Sequence, residues 1–519
     1  MKYYRSHLLI GMNEASLSAG VKEFEAELRN ELTKHNLQDE INVLETGPLS
    51  FFGKGICMTV FPENTQYADV KMEDIPELVS EHFLKGRVVK RLVFEGVLQG
   101  EAKLNYAERI VLDNSGLIDP DSIDEYVGRG GYEALEKAIL KMKPMEVVEE
   151  VKKSGLRGRG GAGFPTGLKW SFTAPIQTDQ KFVVINADEG EPGTFKDRLI
   201  MEGDPHKLLE GISICAYAVG ASKAYIYIRG EYHLCIERLR HAIQQAKVYG
   251  ILGDHIFGSD FSLDIDIKIG AGAYVCGEET ALIESLEGNR GNPRWKPPFP
   301  GVEGLWKKPT VVNNVETLAS VPYIIKNGAE AFAKRGTSDC TGTKVYTILG
   351  EVAHPGLCEV DMGTTMRTII NEYGGGMKKG IKFKAALVGG AAGVFLPDSM
   401  LDVKMDFASL NQYAAVLGSG AVLVMNENTS IVDMLYSILK FFRHESCGKC
   451  SPCRIGTQEL YDLIVKIKKG NGTKEDLDKM ELLAEVMKQT AFCALGQSPI
   501  MPIQSAFEHF KDEFLALVH

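Results

Sequence analysis

The segment Glu445-Ser446-Cys447-Gly448-Lys449-Cys450-Ser451-Pro452-Cys453-Arg454 gathers three of the chain's ten cysteines, and a further one, Cys493, stands beside Phe492. Thiolates are soft ligands, and a Cys-x-x-Cys-x-x-Cys loop completed by one remote cysteine lets a short stretch wrap three corners of a 4Fe-4S cube. The fold must therefore bring two separated segments to one metal centre. A zinc ion is the lesser reading, because structural zinc is usually gripped by paired Cys-x-x-Cys arms. Burial of these thiols as small apolar groups is weaker still, since Gly448, Lys449, Ser451 and Pro452 between them offer no apolar face.

A chain of 519 residues is long enough for several compact units with buried cores. Its 44% hydrophobic and 24% charged residues are those of a soluble globular protein, and a net charge of -11 argues against nucleic acid as a partner. Near the start, Leu8-Leu9-Ile10 is too short for a signal-peptide core and soon meets Asn13 and Glu14. No apolar run approaches the ~20 residues of a membrane helix. The expectation is a cytoplasmic protein without direct membrane insertion, where clustered cysteines serve as metal ligands rather than disulfides.

Periodicity divides the chain into an α/β multidomain arrangement. Residues 1–95 read as a βαββα unit with strands near Ser6–Gly11, Ile41–Glu45 and Gly55–Phe61. Its helices are marked by Val21, Phe24, Leu28 and Leu32, then by Ile75, Leu78, Val79, His82 and Phe83. Residues 96–131 form a polar connector with turn chemistry at Asp113-Asn114-Ser115-Gly116. Residues 132–342 alternate helices with β-branched runs such as Phe182–Asn186 and Ala224–Ile228, an α/β domain; residues 343–426 read as a small β-rich domain. Residues 427–519 are helical, with one face at Ile431, Leu435, Ile438 and Phe442 and another at Ile503, Phe507, Phe510 and Phe514. Ser430 with Asp433 and Thr473 with Asp476 predict capping boxes. The cysteine loop thus joins two helices of a terminal bundle.

Gly158-Arg159-Gly160-Gly161-Ala162-Gly163 matches G-x-G-x-x-G, but Val147, Val148 and Val151 before it predict a helix ending at Gly155, so it is no Rossmann turn. Its glycines still bare backbone N–H groups to a phosphate, with Arg157, Arg159 and Lys169 adding charge. A second glycine loop, Gly270 to Thr280, follows the alternating strand Leu263 to Ile269 and precedes a helix, a usual ligand position. Glu278 and Glu279 in its first turn either compensate the macrodipole or bind a ligand ribose or ring. Asn186-Ala187-Asp188-Glu189-Gly190-Glu191 crowds three acids at a strand end, where close carboxylates raise one another's pKa. Asn292 to Pro300 carries Arg294, Trp295, Lys296 and Phe299 on a proline-stiffened loop, and Asn313-Asn314 offers paired amides.

Together, Gly155 to Trp170, Asn186 to Arg198, Gly270 to Thr280 and Glu445 to Arg454 closely resemble the NADH-binding flavoprotein subunit of respiratory complex I. The likeness extends to its soluble relatives, the diaphorase or beta subunits of NAD-dependent iron-only hydrogenases, formate dehydrogenases and electron-bifurcating enzymes. It runs from about Tyr132 onward and implies FMN, NAD(H), a β-grasp domain and one 4Fe-4S cluster on the terminal bundle. By that resemblance Gly158, Arg159, Gly160, Lys169, Asn186, Asp188, Gly277, Glu278, Asn313 and Asn314 would hold FMN. Phe164, Phe172, Glu191, Glu279, Lys296 and Phe299 would shape the NAD(H) pocket, with Tyr274 a further cofactor contact and Glu191 the catalytic carboxylate. Cys447, Cys450, Cys453 and Cys493 would bind the cluster, with Lys449, Arg454, Arg443 and His444 raising its potential.

The resemblance implies a hydride exchanged between NAD(H) and FMN and single electrons passed to the cluster. The N-terminal unit resembles the thioredoxin-like 2Fe-2S domain of the bifurcating relatives, yet Ala15, Gly20, Pro48 and Phe52 stand where its ligands belong, and Cys57 is the one thiol there. Electrons are therefore expected to leave through iron-sulfur partner subunits, a 2Fe-2S thioredoxin-like one and a catalytic or ferredoxin-linked one. The alternatives are a bifurcating centre of a soluble hydrogenase, formate dehydrogenase or transhydrogenase complex, and a non-catalytic zinc scaffold.

Overall fold

The computed structural model describes residues 4–49, 55–94 and 109–519. Strand β1 (Ser6–Gly11), helix α1 (Val21–Lys34) and strands β2 (Ile41–Thr46), β3 (Ile56–Phe61) and β4 (Thr65–Val70) build a first sheet of order β2-β1-β3-β4. β1 runs parallel to β2 and antiparallel to β3. α1 buries Val21, Phe24, Leu28 and Leu32, the stripe that the sequence marked.

β4 is absent from the expected βαββα order. It is an edge strand with Tyr67 and Val70 turned inward, its pairing slips between Ile56 and Met58, and Asn64 and Asp69 adopt φ of 53° and 55°. Alternation is too broken there to be legible. The following stripe, Ile75, Leu78, Val79, His82 and Phe83, is buried as expected, but its helix opens after one turn into a π-helix over Leu78–Leu84. Phe52 and most of the connector's first half lie outside the described residues. The connector's described part is tethered at Ile110, Val111 and Leu112, whose N–H groups donate to the Glu359 carboxylate at 2.8–3.1 Å.

The second layer begins with α2 (Pro144–Lys153) and α3 (Thr166–Thr173), then β5 (Phe182–Ala187), α4 (Lys196–Gly203) and α5 (Pro205–Val219). β6 (Lys223–Arg229), α6 (His233–Val248), β7 (Asp264–Gly270), α7 (Glu279–Leu286) and β8 (Thr310–Asn314) complete it. The sheet, ordered β7-β6-β5-β8, is parallel throughout. β5 is flanked by β6 on one side and β8 on the other, so a crevice opens past the carboxyl ends of the strands. α5 packs between the sheet and the surrounding helices of this layer and buries nearly every residue, hence its continuous rather than striped hydrophobicity.

A third sheet comprises β9 (Thr343–Gly350), β10 (Gly356–Asp361), β11 (Phe383–Val388), β12 (Val394–Pro397) and β13 (Ala421–Asn426), ordered β10-β9-β13-β11-β12. Buried ion pairs join it to the second layer: Lys344 lies 2.7 Å and Lys196 3.0 Å from Glu316. Breaking one partner of so buried a set would strand a charge in the interior.

The helical end consists of α8 (Ile431–Glu445), α9 (Ser451–Lys468), α10 (Lys474–Thr490) and α11 (Ile500–Leu515). Ile431, Leu435, Ile438 and Phe442 are buried as expected, whereas α11 departs from helical geometry at Phe510 (φ -137°), which is only partly buried. Thr473 and Asp476 form the full capping box; Ser430 accepts from the Asp433 N–H at 3.1 Å. This bundle's core runs without a break into Val184, Tyr227 and Leu282 of the second layer and Leu387 and Phe395 of the third. Among the described residues no helix is long and apolar enough to cross a membrane.

Candidate functional site

The crevice at the carboxyl edge of the parallel sheet collects the sequence-marked loops. The first glycine loop leaves α2, a helix, as the valine spacing implied. It folds back on itself through Gly158 N–H to Phe164 O at 2.8 Å and Arg157 Nε to Gly163 O at 2.7 Å. A Cβ on Gly160 would stand 3.0 Å from Cβ of Asn314, at the end of β8, and one on Gly163 would press the Phe407 ring at 2.7 Å. The loop is thus held between the second layer and the third. Arg159 is placed otherwise than expected: its guanidinium is buried and donates to the carbonyls of Thr343, Arg157 and Thr341 at 2.7–3.0 Å. Its charge anchors the chain's own backbone, its N–H donates to the Thr317 hydroxyl at 2.8 Å, and the N–H groups left for a ligand begin at Gly160.

The three crowded acids do three different jobs. Glu189 accepts from the N–H of Asp197 at 2.9 Å and of Arg198 at 3.1 Å, tying down the start of α4; burial and the neighbouring Asp197 push it up to about 7. Asp188 is buried, desolvation pushes it up to about 7, and its Oδ2 finds no hydrogen-bond partner among the described residues. Glu191, raised chiefly by burial, accepts from the Tyr274 hydroxyl at 2.6 Å and from the Ala391 N–H. Asn186 donates to Gly277 O at 2.8 Å, binding the acid turn to the second glycine loop.

At the end of β8, Asn313 accepts from the Trp170 indole at 2.9 Å, and Asn314 donates to Asp197 at 2.7 Å while its buried Oδ1 finds no partner. Glu278 accepts from the N–H groups of Thr280 at 2.9 Å and Ala281 at 3.0 Å, so it caps α7. Glu279 stands between Lys169 at 3.4 Å and Lys296 at 2.9 Å; burial works to raise its carboxyl, yet the two ammonium groups hold it below the ordinary range. Lys169 also donates to Val312 O at 3.1 Å. Phe164, Phe172 and Phe299 are 44%, 54% and 57% exposed, rings with faces free to stack on a planar ligand.

The thiols of Cys447, Cys450, Cys453 and Cys493 gather at one end of the bundle against the core that holds Val275 and Cys276. The loop spans the end of α8 and the start of α9, and Cys493 opens a short helix. Gly496 lets that segment close in, since a Cβ there would lie 2.9 Å from Cβ of Cys453. Burial and the other three thiols push Cys453 up to about 11. Such thiols resist ionising together unless a cationic group joins them. Arg290 and Arg454 donate to the loop carbonyls of Cys447 at 3.0 Å and Gly448 at 2.6 Å, and Lys449 donates to Pro293 O. Arg443 instead stacks over the Tyr461 ring at 3.9 Å.

One link had no local signal in the sequence. Tyr274 donates its N–H to Glu445 at 2.9 Å, two positions before Cys447, while its hydroxyl holds Glu191. Trp295, on the proline-stiffened loop, meets the ring of Phe492 at 4.4 Å, beside Cys493. The second glycine loop and the aromatic loop therefore connect the crevice to the thiols.

The residues fit the two resident groups that the resemblance implies. Asp188 Oδ2 and Asn314 Oδ1 are buried acceptors short of a donor, and the hydroxyls of a ribityl chain are donors. Gly160 leaves open the place where a side chain would fill the cradle. Four thiols suit an iron-sulfur cube. Among the described residues no three His, Cys, Asp or Glu side chains are grouped to hold a single metal ion.

Residues 151–323 match the Nuo51 FMN-binding domain, residues 345–391 the SLBB domain and residues 433–517 the NADH-ubiquinone oxidoreductase-F iron-sulfur binding region. The NADP-reducing hydrogenase subunit HndC of Solidesulfovibrio fructosivorans is 51% identical over 410 residues, covering 79% of this chain and 83% of that protein. An NADH-quinone oxidoreductase subunit of Aquifex aeolicus (strain VF5) is 50% identical over 393 residues, 76% of this chain and 90% of its own. A crystal structure of an NAD+-reducing NiFe-hydrogenase in the H2-reduced state superposes with a TM-score of 0.71 at 29% identity, covering 99% of this chain and 84% of that one.

Proposed function

Because the chain belongs to the family of NADH-oxidising FMN and 4Fe-4S subunits of complex I and the NAD-reducing hydrogenases, we propose that its crevice works as the NAD(H) entry point of a larger oxidoreductase. When bound, FMN exchanges a hydride with the nicotinamide and divides the electron pair for a one-electron carrier. The N–H groups of Gly160 and Gly161 cradle its phosphate, since those of Gly158 and Arg159 are held by Phe164 O and the Thr317 hydroxyl, and Asp188 and Asn314 accept from its ribityl hydroxyls. Phe164, Phe172 and Phe299 stack on the dinucleotide, and Lys169, Lys296 and Glu279 set the polarity of that mouth. Glu191 orders the nicotinamide end. Cys447, Cys450, Cys453 and Cys493 hold the cluster.

The observation that carries this reading is Tyr274, one residue that touches the acid turn through its hydroxyl and the thiol loop through its N–H. We assign residues 1–95 to a thioredoxin-like unit, 96–131 to a connector, 132–342 to the FMN and NAD(H) domain, 343–426 to a β-grasp domain and 427–519 to the cluster bundle. The partners we infer are iron-sulfur subunits, one of them thioredoxin-like with a 2Fe-2S cluster, in a cytoplasmic complex. The zinc scaffold is set aside on the match of residues 433–517 to an iron-sulfur region. A soluble hydrogenase assembly, bifurcating or not, is the second reading, favoured by the likeness to HndC and to the hydrogenase structure.

The test compares the native protein with Cys450→Ser. Both should oxidise NADH with an acceptor that draws directly on the flavin, at rates within about twofold, because the hydride site is untouched. Only the native protein should reduce the iron-sulfur partner. Partner reduction at the native rate by Cys450→Ser would overturn the route through the cluster.

A further inference from the structure

Glu191 is reached from the third sheet as well as the second. Between β11 and β12 the chain turns through Gly389-Gly390-Ala391-Ala392-Gly393, closed by Gly393 N–H to Gly390 O at 3.0 Å and pinned by Gly389 N–H to Ala421 O at 3.0 Å. Gly390 adopts φ 81°, and a Cβ built on it would stand 2.4 Å from both Cγ and Oε1 of Glu191. The next N–H, of Ala391, donates to Oε1, while Tyr274 donates to Oε2 at 2.6 Å. The carboxylate is thus held from two layers, by the Tyr274 hydroxyl on one side and by the turn's amides, Ala391 with Ala392 beside it, on the other. Beside the turn lies a cavity of about 300 Å³ whose lining includes Leu387, Leu423, Ile438 and Phe441, with Ser437 its single polar side chain. That side offers Glu191 almost no substitute donor if the turn were lost.

We propose that the Gly389–Gly393 turn is a positioning element of the NAD(H) site, in which the Ala391 amide fixes the Glu191 carboxylate and Gly390 is required because any side chain would displace it. The proposal rests on the reading above, in which Glu191 serves the NAD(H) pocket. It gives the third sheet a part in hydride exchange through a backbone amide. The turn sets where the carboxylate stands, and so how well NADH is ordered, without itself touching the reacting atoms.

A double-mutant cycle on the cofactor-loaded protein tests this, with kcat/KM for NADH as the readout. Gly390→Ala should lower it by about tenfold to a hundredfold, as expected for overpacking at a reacting site. In a Glu191→Ala background the clash is gone and only the strain of an alanine at φ 81° remains, so the further loss in kcat/KM from Gly390→Ala should be at least about tenfold smaller than in the native background. An equal loss in both backgrounds would mean that the turn acts only through general folding, and would overturn the proposal. If Glu191→Ala alone left kcat/KM unchanged, the role of Glu191 would fall and the proposal with it, while NADH oxidation by the chain would stand. Should Gly390→Ala not fold, amide exchange gives an independent answer: the Ala391 N–H should exchange at least about tenfold faster in Glu191→Ala than in the native protein. Equal exchange would overturn the hydrogen bond on which the proposal depends.

Discussion

Asp188 is a buried carboxyl with an orphaned oxygen, and that combination makes it a reporter on the crevice. Its pKa of about 7 lies above the unfolded value of 3.8, so the folded chain binds this proton more tightly. The stability it lends is complete below about pH 4 and is lost as pH rises through about 7. In cofactor-free protein, Asp188→Asn should therefore reduce the fall in thermal stability between those values. It should not abolish the fall, because Glu202 and Asp204 are pushed to about 7 by the same desolvation. FMN affinity should drop about 10- to 100-fold, the worth of a hydrogen bond to a charged acceptor. An unchanged pH slope, read by calorimetry, would remove Asp188 from the account. At Gly160, replacement by valine should empty the flavin site, since even a Cβ meets Asn314 at 3.0 Å; the yellow absorbance of the purified variant measures it. The sequence displayed these residues but not their division of labour. Glu189 and Asp188 are adjacent and chemically alike, yet the first amides of α4, from Asp197 and Arg198, claim one and leave the other's Oδ2 without a donor, a difference no local pattern reveals. Arg159 misled for the same reason: a cation in a glycine loop reads as a phosphate ligand, and only the fold shows Thr341 and Thr343 carbonyls claiming it.

Elements with strong periodicity were legible, and those shaped by an interface were not. α2, β5 and α8 follow from their apolar spacing, whereas β4 lacks alternation and the π-helical stretch after it carries an ordinary helical stripe. The interface between the first sheet and α4 belongs to the second kind. A Cβ on Gly47 would lie 2.6 Å from Cα of Gly203, Arg238 donates to Met12 O at 3.1 Å and to Glu202 O, and Arg198 pairs with Glu14 at 3.2 Å. The face formed by Met12, Glu14 and Gly47 is thus packed against the helix whose first turn meets Glu189 and Asn314. Gly47→Val should force the two layers apart at an overpacking cost of about 1–3 kcal/mol. Thermal unfolding should register that as a lower midpoint, with the flavin and iron-sulfur absorbance of the folded protein retained. A midpoint equal to the native one would show that the interface yields freely.

At the scale of the whole molecule, the second and third layers each keep a core of their own, and a further cluster joins one face of each to the bundle, so the crevice and the thiols are linked through packed side chains. Tyr274 with Glu445, and Trp295 with Phe492, are contacts between segments more than 150 residues apart, and motifs alone could not disclose them. The first sheet stands outside those clusters, with its own set of buried residues from Leu8 to Leu92. Its proposed thioredoxin-like form raises the question of a second iron site. Among the expected ligand positions Ala15, Gly20 and Pro48 carry no thiol, Phe52 lies outside the described residues but is likewise no ligand, and Cys57 is buried. Two irons bridged by sulfide need four protein ligands, and one cysteine cannot replace them. The packing points the same way: the Pro48 carbonyl accepts from Ser115 at 3.0 Å and Thr46 donates to Ile118 O at 2.8 Å, so this rim is closed by the connector. Electrons should therefore reach a single cluster, and the purified chain should contain about four irons rather than about six. Electron paramagnetic resonance of the reduced protein should show one 4Fe-4S species that disappears in Cys450→Ser; a 2Fe-2S signal persisting in that variant would restore a cluster to the first sheet.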